Sequence, residues 1–221
     1  MFLMEKRDGN VKVGSCVDGR KHREGSQKKY TTSPKMALES VLIASSIEVQ
    51  KKRDVDVVNI PRSFLTAAME KDVIIVLQVR LAELMVNTKL IIYQKLATIE
   101  YGRALLYIKL QKAIYGCLRS ALLFYENLVS DLKSRGFIIN QYNTCVANMT
   151  VNGKQITITW HVDDLKILHV DTYEVTKLID WMKGIYGSQM RDHVGRKKLP
   201  RNGPCILSVW IIQGENDVLH K

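Results

Sequence analysis

Residues 155–170 read QITITWHVDDLKILHV, two strand-like apolar runs with a pair of aspartates, Asp163 and Asp164, between them. Upstream, Cys145–Val151 is a further strand-like segment, joined to the first run through Asn152-Gly153. That dipeptide favours the left-handed backbone of a tight hairpin turn. Residues 145–170 are therefore expected to form an antiparallel meander with Asp163 and Asp164 at a tight reversal. Two adjacent carboxylates in so apolar a setting are costly unless something compensates their charge. A magnesium ion would do so, being a hard cation that takes carboxylate and phosphate oxygens. An exposed Asp-Asp turn, which both residues favour, is the plainer alternative.

Outward from this meander the chain alternates helices and short strands. Ser33 and Pro34 look like the cap and first position of a helix continuing to about Lys52, with Leu38, Val41, Leu42, Ser45 and Val49 at helical spacing. A strand over Val55–Ile60 stops at Pro61, Phe64–Met69 reads as a helical turn, and Val73–Val79 and 104–110 read as strands. Ser120 to Arg135 places Leu122, Leu123, Tyr125, Leu128, Val129 and Leu132 on one side of an amphipathic helix that Gly136 ends. Asp171 or Thr172 caps a last helix to about Tyr186. The first thirty residues suggest two short strands around Asp8-Gly9-Asn10. The expected class is α+β, an antiparallel sheet with helices on one face.

Composition narrows the function classes. With 46% hydrophobic and 25% charged residues, the 221-residue chain can bury a sizeable core. Its net charge of +11 is uneven: residues 1–35 hold nine Lys/Arg against four Asp/Glu, and residues 183–201 six against one, supplying +10 of the total. Basic ends of this kind suit a polyanion, because each neutralised phosphate releases condensed counterions; a solvated face is the plainer reading. Cys16, Cys117, Cys145 and Cys205 are widely separated, so neither a zinc site nor a disulfide framework is expected. No signal peptide is evident and no apolar run reaches the ~18 residues a membrane span needs, which points to an intracellular protein.

Several segments resemble one family in consistent order. His161-Val162-Asp163-Asp164 resembles the [Y/H]VDD box of copia-type (long-terminal-repeat) retrotransposon reverse transcriptases. KLQKAIYG at 109–116 is similar to that family's K-A-L-Y-G segment, ALLFYENL and LKSRGF to the helix that follows it, and Gln141–Asn148 to the stretch before the palm hairpin. VVNIPRSFL at 57–65 resembles the D-x-x-x-A-F-L box, and FLMEKRDGNVKVGSCVDGRKHR the fingers strands. The resemblance covers residues 1–198 and fades in 199–221, where the Y-L-G segment leading toward a thumb is missing.

The resemblance implies a right-hand polymerase fold with fingers mainly in 1–53 and 70–118, a palm mainly in 54–69 and 119–198, a diverged tail in 199–221, and a thumb missing or truncated. It implies an RNA-directed DNA polymerase in which carboxylates hold two Mg²⁺ (or Mn²⁺) ions. A primer 3′-hydroxyl attacks the α-phosphate of a dNTP and pyrophosphate leaves. Asp163 and Asp164 would be catalytic and metal-binding. Phe64, Ile60 and Arg119 would meet the nucleotide, Phe64 from beneath the sugar, although a Phe after a proline turn is equally a core residue. Lys112, Arg196, Lys197 and Lys198 would follow the primer-template. Integrase and RNase H segments are absent from the sequence, and the expected setting is a cytoplasmic virus-like particle or the nucleus, with no membrane partner.

One departure bears directly on activity. Asn59 stands where the family has its first catalytic aspartate. An amide keeps the shape but carries no charge, and losing a group that neutralises developing charge commonly costs orders of magnitude in rate. Asp56 lies three residues upstream, an odd offset that points to the opposite face of a strand. Arg119 replaces a usual Gln and can still reach a phosphate. His161 and His169 are expected to be structural, since phosphoryl transfer needs charge neutralisation more than a histidine base. The expectation is thus an impaired polymerase, or an inactive relic that at most binds nucleic acid.

Overall fold

The computed structural model describes residues 2–5, 9, 11–14, 16–19, 32–69, 72–100 and 102–194. In chain order the elements are β1 (Phe2–Glu5), β2 (Val11–Gly14), α1 (Leu38–Gln50), β3 (Asp54–Asn59), β4 (Ile74–Gln78), α2 (Arg80–Thr88), α3 (Leu90–Tyr93), β5 (Ala97–Glu100), β6 (Arg103–Lys109), α4 (Ser120–Ser134), β7 (Ile138–Ile139), β8 (Val146–Val151), β9 (Lys154–His161), β10 (Asp164–His169), α5 (Thr172–Tyr186) and β11 (Arg191–Val194). The mixed α+β class is as expected, with all strand pairs antiparallel. Two compact units share the chain: residues 1–32 with 64–124, and 33–63 with 125–221.

The first unit holds the β1–β2 hairpin and a three-stranded sheet in the order β4-β6-β5. Sequence reading anticipated β4 and β6 but not β5, α2 or α3. Segment 16–19 crosses the loop after β6, where the Val17 amide donates to the Tyr115 carbonyl at 2.9 Å. Gly116 takes φ +93° there, and any Cβ would overlap the Val17 backbone, so the close approach requires glycine. Phe64 stacks on Tyr115 at 4.4 Å and lies 6.3 Å from Phe124, centroid to centroid.

The second unit is built on a six-stranded sheet in the order β11-β3-β10-β9-β8-β7. Asn152 (φ +50°) and Gly153 (φ +72°) form the expected β8–β9 turn. The β3–β10 register sets Asn59, Val57 and Val55 opposite Asp164, Lys166 and Leu168, so these six residues share one face. Val58, Leu165, Ile167, Trp160 and Ile158 occupy the other face and are buried.

Helices cover both faces, which corrects the expectation of one. On the face of Leu165 and Trp160 lie α4 and α5. Tyr125 of α4 sits 6.4 Å from the Trp160 ring, and Tyr186 of α5 donates to Asp131 of α4 at 2.6 Å. A Schellman turn ends α4, with Gly136 at φ +100° and the Phe137 amide donating to Leu132. Asp171 caps α5 by accepting from the Tyr173 amide at 2.9 Å.

The opposite face is covered by α1, and a charge is the reason. Lys166 points into the middle of this face, 3% exposed, and its Nζ lies 2.7 Å from Glu48 and 3.3 Å from Ser45, both on α1. A buried ammonium needs a buried counter-ion. The helix therefore turns Ser45 and Glu48 inward and leaves Leu38, Leu42, Ile43 and Val49 exposed, reversing much of the expected apolar stripe. It also starts at Leu38 rather than Pro34: Ala37 takes the cap position without a side-chain hydrogen bond, and Ser33 bonds to the Pro34 carbonyl instead. Residues 33–53 thus belong with the large sheet, apart from 1–32 and 70–118.

Candidate functional site

The two aspartates sit where β9 turns into β10. His161 and Asp164 pair across the hairpin, leaving Val162 and Asp163 as a two-residue turn. Val162 has φ +56°, a conformation that suits glycine at the first central position of such a turn and strains a β-branched side chain. Strain of this kind is stored at sites held in place by their surroundings, at a cost of about 1–3 kcal/mol. Here the Ile60 amide donates to the Asp163 carbonyl at 2.9 Å, tying the end of β3 to the turn.

Asn59 stands directly opposite Asp164 in the β3–β10 ladder, and its Nδ2 donates to Asp164 Oδ1 at 2.8 Å. Desolvation raises the Asp163 pKa above the usual carboxylate range, with the Asp164 charge adding to it; Asn59 and His161 hold it partly down. Both aspartates are half-buried and Val162 is exposed. The three polar residues, Asn59 about a hundred positions from the two aspartates in sequence, form one corner at the end of the interior strands β3 and β10.

The donor set at this corner is two carboxylates and an amide. Among the described residues no group of three or more His, Cys, Asp and Glu side chains is placed to hold a metal ion. Mg²⁺ commonly takes one or two protein carboxylates and completes its octahedron with water or phosphate, so the chemistry of Asp163 and Asp164 fits one such ion. A second ion would call for further carboxylate charge, and Asn59 offers Asp164 a neutral N–H donor instead. Asp56 lies on the opposite face of β3, as the odd offset required, and is buried.

The other sequence-predicted residues are distributed as follows. Ile60 is wholly buried and contributes its amide to the turn. Phe64 is 8% exposed and packed against Tyr115, the surroundings of a core aromatic. Arg119 is half-buried just before α4. Lys112 is exposed and donates to the Thr66 carbonyl at 3.2 Å. Phe64, Arg119 and Lys112 belong to the first unit, whereas Asn59, Ile60, Asp163 and Asp164 belong to the second. Arg196, Lys197, Lys198 and the tail 199–221 lie outside the described residues. His169 is 1% exposed, and its Nδ1 accepts from the Asp171 amide at 3.1 Å.

Two features of the corner were not anticipated. Lys166 shares the sheet face of Asp164, two residues along β10, and in LKILHV it reads as an ordinary solvent-facing lysine. The Val162 strain was findable: a two-residue loop between His161 and Asp164 puts valine where glycine is normal. No helix among the described residues is long and apolar enough to cross a membrane. No protein-family model, curated protein or solved structure matches the chain.

Proposed function

We propose that this chain is the fingers and palm of a copia-type reverse transcriptase whose nucleotidyl-transfer corner is one carboxylate short, an RNA-directed DNA polymerase fragment with little or no activity. The observation that carries the reading is the meeting of Asn59 with Asp163 and Asp164. Boxes about a hundred residues apart in sequence converge at the end of neighbouring strands, and the resemblance requires that convergence.

Bound Mg²⁺ or Mn²⁺ would supply charge neutralisation at the α-phosphate of a dNTP and activation of a primer hydroxyl. Asp163 and Asp164 would hold it, and the strained turn would keep them at the end of the β9–β10 hairpin. Asn59 keeps the spacing but contributes a neutral donor, so the charge of a second cation has no answering carboxylate. The basic ends support a retained affinity for a primer-template, with Lys112, Arg196, Lys197 and Lys198 as the phosphate-facing candidates. A protein of this kind would work in the cytoplasm, within a virus-like particle, or in the nucleus, with no membrane partner.

Primer extension on an RNA template tests the reading. The native chain, Asn59→Asp, and Asn59→Asp combined with Asp163→Asn are compared in Mg²⁺ and in Mn²⁺. Extension by Asn59→Asp alone supports a palm disabled at one residue. Extension by the native chain would overturn the impairment, and extension by the Asp163→Asn double variant would overturn the assigned site.

A further inference from the structure

A second site lies on the α1 side of the large sheet. A cleft of about 350 Å³ opens there, with Ala44 and Ile47 of α1 on one wall and Val146 and Leu168 of the sheet on the other. That volume is at the low end of small-molecule sites, and apolar walls with a few convergent polar groups are their usual make-up. Arg53 and Thr157 supply the polar end.

The hydrogen bonds at that end are settled among themselves, apart from one charge. Thr157 donates to Asn148 Oδ1 at 2.8 Å, and Gln155 Nε2 donates to Asn148 Oδ1 at 2.7 Å and to Thr157 Oγ1 at 3.0 Å. With its proton committed to Asn148, the Thr157 oxygen also accepts from Arg53 Nη1, at 3.2 Å. Arg53 is half-buried, burial alone lowers its pKa, and no carboxylate among the described residues lies within ion-pair distance of it. A guanidinium has five N–H donors in a planar fork, and Thr157 engages one of its nitrogens. The partner that matches the rest of the fork is a planar anion.

We propose that this cleft binds a small amphiphilic carboxylate, its headgroup on Arg53 and its apolar body between α1 and the sheet. The proposal does not depend on the Asn59 corner. Tyr142, fully exposed at the rim, adds an aromatic face for an aromatic body.

The test is calorimetric titration of the full chain with 2-naphthoate, with the neutral 2-naphthalenemethanol, and with acetate. Binding of 2-naphthoate is expected, with the alcohol and acetate each weaker by about tenfold or more, since a charged hydrogen bond and the apolar contact each contribute on that scale. Arg53→Gln is expected to bring 2-naphthoate down to the alcohol's affinity, and Ala44→Phe, which fills the cleft, to remove both. Failure of 2-naphthoate to bind, equal affinity for the alcohol, or unchanged affinity in Ala44→Phe would each overturn the proposal. If Arg53→Gln does not fold, the comparison of ligands on the native chain still decides.

Discussion

The side chains of Asn59 and Asp164 meet across the β3–β10 ladder, amide nitrogen to carboxylate oxygen at 2.8 Å, in a register that sets the two Cα positions directly opposite. The Asn59 amide donates to the Asp164 carboxylate and so offsets part of its charge from within the protein.

The Lys166–Glu48 pair is the costliest place to disturb on the same sheet face. Removing one partner strands a charge that is almost wholly buried. Lys166→Met is expected to cost about 3–5 kcal/mol, and Lys166→Met with Glu48→Leu to recover most of that loss. Urea unfolding of the two variants checks this. A double variant no more stable than the single one would mean that the ion pair does not set the orientation of α1.

Strain at Val162 has a measurable counterpart. Glycine at this position relieves the left-handed backbone but loses more conformational entropy on folding. The first effect is the larger, so Val162→Gly is expected to raise stability by about 0.5–1 kcal/mol, whereas Val162→Ala should not. Thermal melts of the two variants distinguish relief of strain from simple loss of a side chain.

Much of the second unit was legible in the sequence because its signals are local. Asn152-Gly153, the Asp171 cap and Gly136 each act through their own backbone, and each stands where it was expected. The face of α1 was misread because the decisive partner, Lys166, lies far away in sequence, and no helical period reveals that a polar stripe is wanted inside. β5 of the three-stranded sheet was missed because it is only four residues long, and its short apolar-polar alternation, Ala97 to Glu100, buries no face. The meeting of Asn59 with the two aspartates was anticipated only through the resemblance. The residues alone left Asp163 and Asp164 open between a magnesium site and an exposed turn.

Alkaline pH should weaken the fold through Cys145. Burial pushes this thiol up to about 11, above its ordinary value near 9. A raised pKa means that the folded state holds its proton longer, so the stabilisation is complete below pH 9 and is lost as pH rises through 11. The loss is on the order of 2 kcal/mol. Cys145→Ala should show a flatter stability profile between pH 9 and 11 than the native chain in urea unfolding; parallel profiles would contradict the assignment.

Affinity for a primer-template duplex should fall steeply with salt if the basic ends track phosphates. The slope of log affinity against log salt is about −0.9 for each phosphate neutralised on B-form DNA. Replacing Arg196, Lys197 and Lys198 together with Gln should reduce its magnitude by about two to three units, measured by fluorescence anisotropy. An unchanged slope would remove these residues from the interface.

The proposed shortage of one carboxylate is tested most directly by the thermal stability of Asn59→Asp with and without divalent metal, a readout that needs no primer. Without metal, a third carboxylate replaces a hydrogen-bond donor beside two others, so Asn59→Asp should melt below the native chain. Adding millimolar Mg²⁺ should restore or exceed the native melting temperature in Asn59→Asp and raise that of the native chain far less. An equal Mg²⁺ response in both chains, or none in Asn59→Asp, would contradict the assignment of residue 59 as the missing metal ligand.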